Sequence, residues 1–187
     1  ALPGASFAKG VSFCGINGPI PHISGLNSSI NFKSFASDMT IPFLKGFTTI
    51  SGPNGSGKSN IIDSILFALG LVNARNLRTE EVSDFISLYT KKNEAFVKIA
   101  FEPDDNTEEP ITVARKLRKS TQGYNSVYYL NDKVSTLTDI HTKLAKYRIT
   151  PNSYNVIMQS DVMDIVNCSN KERRAIIDEI AGVADFN

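Results

Sequence analysis

The stretch Gly52-Pro53-Asn54-Gly55-Ser56-Gly57-Lys58-Ser59 constrains the fold more than anything else in this chain. It fits G-x-x-x-x-G-K-S/T at every fixed position. Glycines let successive backbone N–H groups turn inward and form a concave nest for phosphate oxygens. A helix starting near Lys58 adds its positive N-terminal end. Lys58 then brings a mobile charge to the β- and γ-phosphates, and the Ser59 hydroxyl is a ligand for Mg²⁺. The flanks supply the strand and helix that such a loop needs. Gly46-Phe47-Thr48-Thr49-Ile50 is β-branched and aromatic, as a buried strand is. Ile61, Ile62, Ile65, Leu66 and Leu69 recur at helical steps, and Gly70 is placed to stop the helix. At ordinary glycine usage, a chance match has a probability on the order of one per cent in a chain of this length. The sequence therefore predicts nucleotide binding through the phosphates.

Elsewhere the pattern alternates between strand and helix. Ile30 to Phe35 and Met39 to Phe43 read as strands around a polar turn at Ala36-Ser37-Asp38. Residues 71–92 look irregular, with a short helix from Glu80 to Phe85. Ala95, Val97, Ile99 and Phe101 alternate with other side chains in strand periodicity. Ile111 to Leu117 and Ser126 to Leu130 form the arms of a hairpin turning at Gln122-Gly123-Tyr124-Asn125. After a turn at Asn131-Asp132, the Thr136/Asp139 spacing opens a helix carrying Leu137, Ile140 and Leu144. Val156-Ile157-Met158 reads as a short strand ending at Gln159. Ser169 and Glu172 open a last helix bearing Ile176, Ile177, Ile180 and Ala184. The expected organisation is a loose leader at 1–21, an α/β lobe at 22–168 and a helix from 169 that runs on towards a coiled coil.

Composition excludes several classes. Lys and Arg total 20 against 19 Asp and Glu, so no bulk basicity marks a nucleic-acid binder. The balance hides an asymmetry: Glu80 to Glu109 holds nine acids and three bases, while Ile111 to Thr150 holds eight bases and two acids. Cys14 and Cys168 cannot build a disulfide framework or a zinc site, and His22 and His141 are far apart. No apolar run approaches the ~20 residues of a membrane span. The leader contains no acid and one base, Lys9, so an organelle-targeting segment remains an alternative to a cytoplasmic location.

Three segments resemble one family. Asn31-Phe32-Lys33-Ser34-Phe35, then Gly46-Phe47-Thr48, then Ile50 through Ser64 are similar to the start of SMC (structural maintenance of chromosomes) ATPase heads, of the bacterial and cyanobacterial type. Val156 to Val162 looks like the family's Q-loop. Lys171 to Ala184 resembles the passage where the head enters its coiled-coil arm. The resemblance implies an ABC-type P-loop NTPase lobe, a mixed β-sheet around the P-loop helix, binding ATP and Mg²⁺. Pro53, Asn54, Gly55, Ser56, Gly57, Lys58, Ser59 and Asn60 would hold the nucleotide, with Lys33 beside its phosphates. It implies that Gln159 joins Ser59 on the metal and senses the γ-phosphate. Arg78, or alternatively Arg75, would be the finger-like arginine. Ser160 departs from the family's usual glycine after the glutamine.

The resemblance also implies partners: the C-terminal lobe of the same head, a second head expected to be an identical one, a kleisin-type subunit and DNA backbone, near the nucleoid. No Leu-Ser-Gly-Gly signature follows Gln159, and Ala175 to Glu179 reads as helix rather than as a Walker B strand. Hydrolysis by this chain alone is therefore expected to be negligible. Arg115, Lys116, Arg118 and Lys119 form the densest basic cluster, either a DNA-phosphate contact or a solvated hairpin edge. The rivals are a coiled-coil repair and recombination ATPase, a self-contained P-loop kinase or GTPase, for which Asn-Lys-x-Asp is absent, and a non-enzymatic DNA-binding module.

Overall fold

A computed structural model describes residues 22–43, 48–71, 82–103, 109–147, 149, 168–171, 173, 174 and 177. The leader, the start of the Gly46–Ile50 strand, the Val156–Met158 strand and most of the last helix lie outside them, as do Arg75, Arg78 and Gln159.

The described strands are β1 (His22–Ile30), β2 (Met39–Pro42), β3 (Glu94–Glu102), β4 (Ile111–Ser120), β5 (Gly123–Leu130) and β6 (Lys133–Ser135). They form one sheet in the order β2-β1-β3-β4-β5-β6, every neighbouring pair antiparallel. Among the described residues, α1 (Lys58–Leu69) and α2 (Leu137–Ala145) are the longer helices, and a short 3-10 helix, Val82–Phe85, falls within the expected Glu80–Phe85 helix, so the expected α/β class holds. Ala95, Val97, Ile99 and Phe101 of β3 are fully buried and line the face of the sheet against which α1 packs. That face is also where Val113 and Leu117 of β4 enter the core. Burial of each such aliphatic side chain stabilises the fold by about 1.5–3 kcal/mol.

Local differences from the sequence reading have physical causes. β1 ends at Ile30, where a strand had been expected to begin. Asn31 and Lys33 take positive φ, 54° and 47°, and Phe32 and Phe35 exchange backbone hydrogen bonds of 3.1 and 2.8 Å. Three residues apart, both phenyl groups reach the core only through a turn, and Asn tolerates that backbone well. β1 itself, with Gly25, Asn27, Ser28 and Ser29, carries little strand propensity; pairing with β3 imposes it, across two register shifts. The hairpin turn is tighter than expected. Ser120 pairs with Gly123, leaving Thr121-Gln122 as a two-residue loop, and Gly123 exits at φ 130°. The expected turn at Asn131-Asp132 leads into β6, a strand the sequence pattern does not predict: both turn residues have positive φ, the signature of a type I′ turn. From Thr48 to Ser51 the chain holds no more than a single bridge, at Ile50.

At α2 the capping box forms as expected. The Asp139 N–H donates to Thr136 Oγ1 at 3.1 Å, and the Thr136 N–H returns to Asp139 Oδ2 at 3.3 Å. The Thr136 hydroxyl, followed by its backbone N–H, holds the exposed Asp139 carboxyl below the usual carboxylate value. A depressed folded pKa means that the carboxylate's support is present above the unfolded value of about 3.9 and is lost as pH falls through the lower folded one. Carboxyl-detected NMR should place the Asp139 midpoint below that of free aspartate. Thr136→Ala should raise it, and an unmoved midpoint would contradict the cap.

Candidate phosphate-binding site

The loop from Gly52 to Gly57 leads directly into α1. Gly55 and Gly57 adopt φ of 80° and 89°, a conformation that side-chain-bearing residues rarely hold. A Cβ at Gly52 would meet Ser56 Oγ at 2.9 Å, so a larger residue there would need the Ser56 hydroxyl to turn away. Pro53 to Ser56 form its exposed crest, and the Ser56 N–H turns back to the Pro53 carbonyl at 3.3 Å.

α1 begins with Gly57 as N-cap, without a side-chain capping bond and without an acid in its first turn. Helix starts usually receive an Asp, Ser or Thr oxygen there. Here that complement of negative charge must come from elsewhere, the arrangement suited to an anion. Lys58 Nζ donates to the carbonyls of Gly52 and Pro53, both at 2.6 Å, which ties its ammonium across the base of the loop. Ser59 follows on the first turn. Asn60 Nδ2 donates to Ser34 Oγ at 2.7 Å, fastening the loop to the turn after β1. The residues present thus fit a polyphosphate.

Lys33 belongs to that same turn. Its ammonium sits 2.6 Å from Asp63 Oδ2, one helical turn beyond Ser59, with side-chain exposures of 11% and 6%. Its N–H donates to the Phe85 carbonyl at 3.0 Å. Lys33, Ser34 and Asn60 are therefore brought together with the loop, while Lys33 is held by an acid. The sequence reading missed Asp63 as a partner, although a charged residue within an isoleucine-rich helix face was the signal.

The other end of α1 is clasped by two elements. Gly70 closes the helix in a left-handed conformation, with its N–H on the Leu66 and Phe67 carbonyls. Arg115 of β4 donates from Nη1 to the Phe67 carbonyl at 3.1 Å and from Nε to Ser126 Oγ at 2.7 Å. Its guanidinium lies 4.3 Å from the Phe67 ring centroid and 4.9 Å from that of Tyr128. Burial lowers its pKa from the ordinary value, and the Tyr128 hydroxyl opposes that. His141 of α2 reaches the Leu69 carbonyl at 3.0 Å. Beneath the clasp, Phe67 packs on Phe32 and Phe85 with centroids 5.1 Å away from each. Arg115 thus leaves the basic cluster: it is a tie between helix and sheet. Lys116 is paired as well, at 3.1 Å from Glu94.

Comparison with known proteins follows the same outline. Residues 26–154 match the RecF/RecN/SMC N-terminal domain. The chain belongs to this family. Among its relatives, it is 48% identical over 157 residues to the Chromosome partition protein Smc of the cyanobacterium Gloeobacter violaceus. That match covers 83% of this chain but 14% of the relative. A solved structure described as structural biochemistry of ATP-driven dimerization and DNA-stimulated activation of SMC ATPases aligns with TM-score 0.75 and 37% identity, over 86% of this chain and 99% of that one. The Pyrococcus furiosus Smc head with an extended coiled coil, bound to the C-terminal domain of ScpA, aligns with TM-score 0.77 and 36% identity, over 89% and 43%.

Proposed function

We propose that this chain is the N-terminal, nucleotide-holding lobe of an SMC ATPase head, occupying 22–168, with the helix from 169 entering a coiled coil. The observation that carries the reading is the glycine cradle running into an uncapped α1, with Lys58 drawn across it. Backbone N–H groups from Gly55 to Ser59 would hold the β-phosphate, and Pro53, Asn54 and Asn60 would frame it. Two donors of the Lys58 ammonium go to loop carbonyls, and the third suits a γ-phosphate oxygen. Lys33 would approach the same phosphates from the neighbouring turn. Bound Mg²⁺, on Ser59 and Gln159, would neutralise phosphate charge. Gln159 would also orient water, and Arg78, with Arg75 the alternative, would stabilise charge on the γ-phosphate.

The full protein would hydrolyse ATP between two engaged heads, most simply two copies. The Smc relatives' role in chromosome partition, DNA stimulation and a ScpA-like kleisin partner would carry over. A cytoplasmic, nucleoid-associated location fits this role. Among the described residues no helix is long and apolar enough to cross a membrane. The test is reconstitution. The chain alone should show near-background ATPase, and adding the C-terminal half of the head should restore turnover. Robust turnover by the chain alone would overturn the two-lobe reading.

A further inference from the structure

α1 carries a single acid, Asp63, and does not place it where helices usually do. Acids favour the first turn, where they complement the positive end of the helix. The first turn of α1 has none, and a carboxylate there would repel a phosphate in the adjoining loop. Asp63 lies four residues past Ser59 and three past Asn60, on the same face and about 6 Å further along the axis than Ser59. It is 4% exposed, and Lys33 is its charged partner among the described residues.

The backbone at Lys33 has little freedom. Its N–H is bonded to the Phe85 carbonyl, the Ser87 N–H donates to the Asn31 carbonyl at 2.7 Å, and Phe32 bridges Ile86. The same turn abuts the phosphate loop: a Cβ at Gly57 would lie 3.4 Å from Ser34 Oγ and 3.6 Å from Phe35 Cε1. Lys33 therefore adjusts through its four-carbon stem, and its ammonium rests on Asp63 with the Phe85 ring centroid 5.8 Å away. Stability alone does not call for this arrangement, since an apolar pair in place of a buried ion pair is often as stable or more so. What the carboxylate adds is electrical. A lone ammonium attracts any polyphosphate from a distance, whereas one paired with a carboxylate loses that long-range pull. It keeps donors that act on an oxygen within hydrogen-bond reach.

We propose that Asp63 is a positioning residue that confines Lys33 to the terminal phosphate of a nucleoside triphosphate, so that the diphosphate left by hydrolysis is not held by it. This rests on the reading of Lys33 as a phosphate contact. Loop N–H groups serve the β-phosphate of either nucleotide. The neutralised Lys33 adds affinity only where a further phosphate meets its ammonium. Without the Asp63 charge, the same lysine would retain the diphosphate as well.

The test is calorimetric titration of the full-length protein with ADP and with a non-hydrolysable ATP analogue, both with Mg²⁺. Asp63→Asn keeps the shape and an acceptor for Lys33 but removes the charge. It should tighten ADP binding about fivefold, a gain that fades towards ~0.5 M salt as a screened long-range attraction does. A packing defect would instead weaken both nucleotides. If ADP affinity stays the same or falls in the folded variant, the proposal is overturned. Lys33→Met/Asp63→Asn removes both charges and answers the same question should Asp63→Asn not fold. Its affinity for the ATP analogue should drop about tenfold, from loss of a charge-assisted hydrogen bond, while ADP affinity stays within about twofold of the original. Equal losses for the two nucleotides would keep Lys33 as a phosphate contact but overturn the confining role of Asp63. No loss for either would overturn the reading of Lys33 itself, and this proposal with it.

Discussion

Replacing Lys58 with alanine is expected to lower ATP affinity on the order of 10²-fold, from loss of charge-assisted hydrogen bonds worth about 1.5–3 kcal/mol each. The residue has two separable tasks. Its ammonium ties the Gly52 and Pro53 carbonyls together at 2.6 Å, and that contact sets it at the base of the proposed phosphate cradle. Alanine removes both, whereas the backbone cradle and the uncapped start of α1 remain. Residual binding should therefore persist, supplied by N–H groups and the helix end. Titration of a fluorescent ATP analogue, with circular dichroism to confirm folding, measures the effect. Unchanged affinity in the folded variant would refute the role given to Lys58.

What the sequence revealed and what it hid separate by distance along the chain. The phosphate loop is local: eight consecutive residues carry the glycines, the lysine and the helix start, and α1 begins at Lys58 as expected. The Thr136/Asp139 box and the Asn131-Asp132 turn were legible for the same reason, since each is closed by residues within four positions. The Arg115 clasp spans 48 residues to Phe67, and the Lys33–Asp63 pair spans 30. No spacing rule connects such positions. Arg115 looked like one of four solvated cations because nothing in its neighbourhood tells which face of β4 meets α1. Only the alternation of Val113, Arg115 and Leu117 carried a trace of it: an arginine at a core-facing step of a strand. The strand expected at Ile30 to Phe35 failed differently. Phe32 and Phe35 are buried, but through a turn whose backbone contact lies in the remote Phe85 segment.

Breaking the Lys33–Asp63 pair from one side should bring the largest loss of stability. Asp63→Ala leaves the Lys33 ammonium, 11% exposed, without its carboxylate, and breaking a buried pair in this way typically costs about 3–5 kcal/mol. Lys33 also holds a left-handed backbone, at φ 47°, which a non-glycine residue keeps only under local constraint. The Asp63 contact is one such constraint, so its removal should loosen the turn against α1. The double variant Lys33→Met/Asp63→Leu removes both charges and should recover most of the stability. Urea unfolding of the two variants measures this. If Asp63→Ala lies within about 1 kcal/mol of the original chain, the pair is as weakly coupled as a surface ion pair. The recovered double variant then separates the two roles of Lys33. If this lysine only anchors the turn, ATP affinity should return along with stability. If it also serves the phosphates, as proposed, affinity should stay reduced in a protein that is otherwise stable.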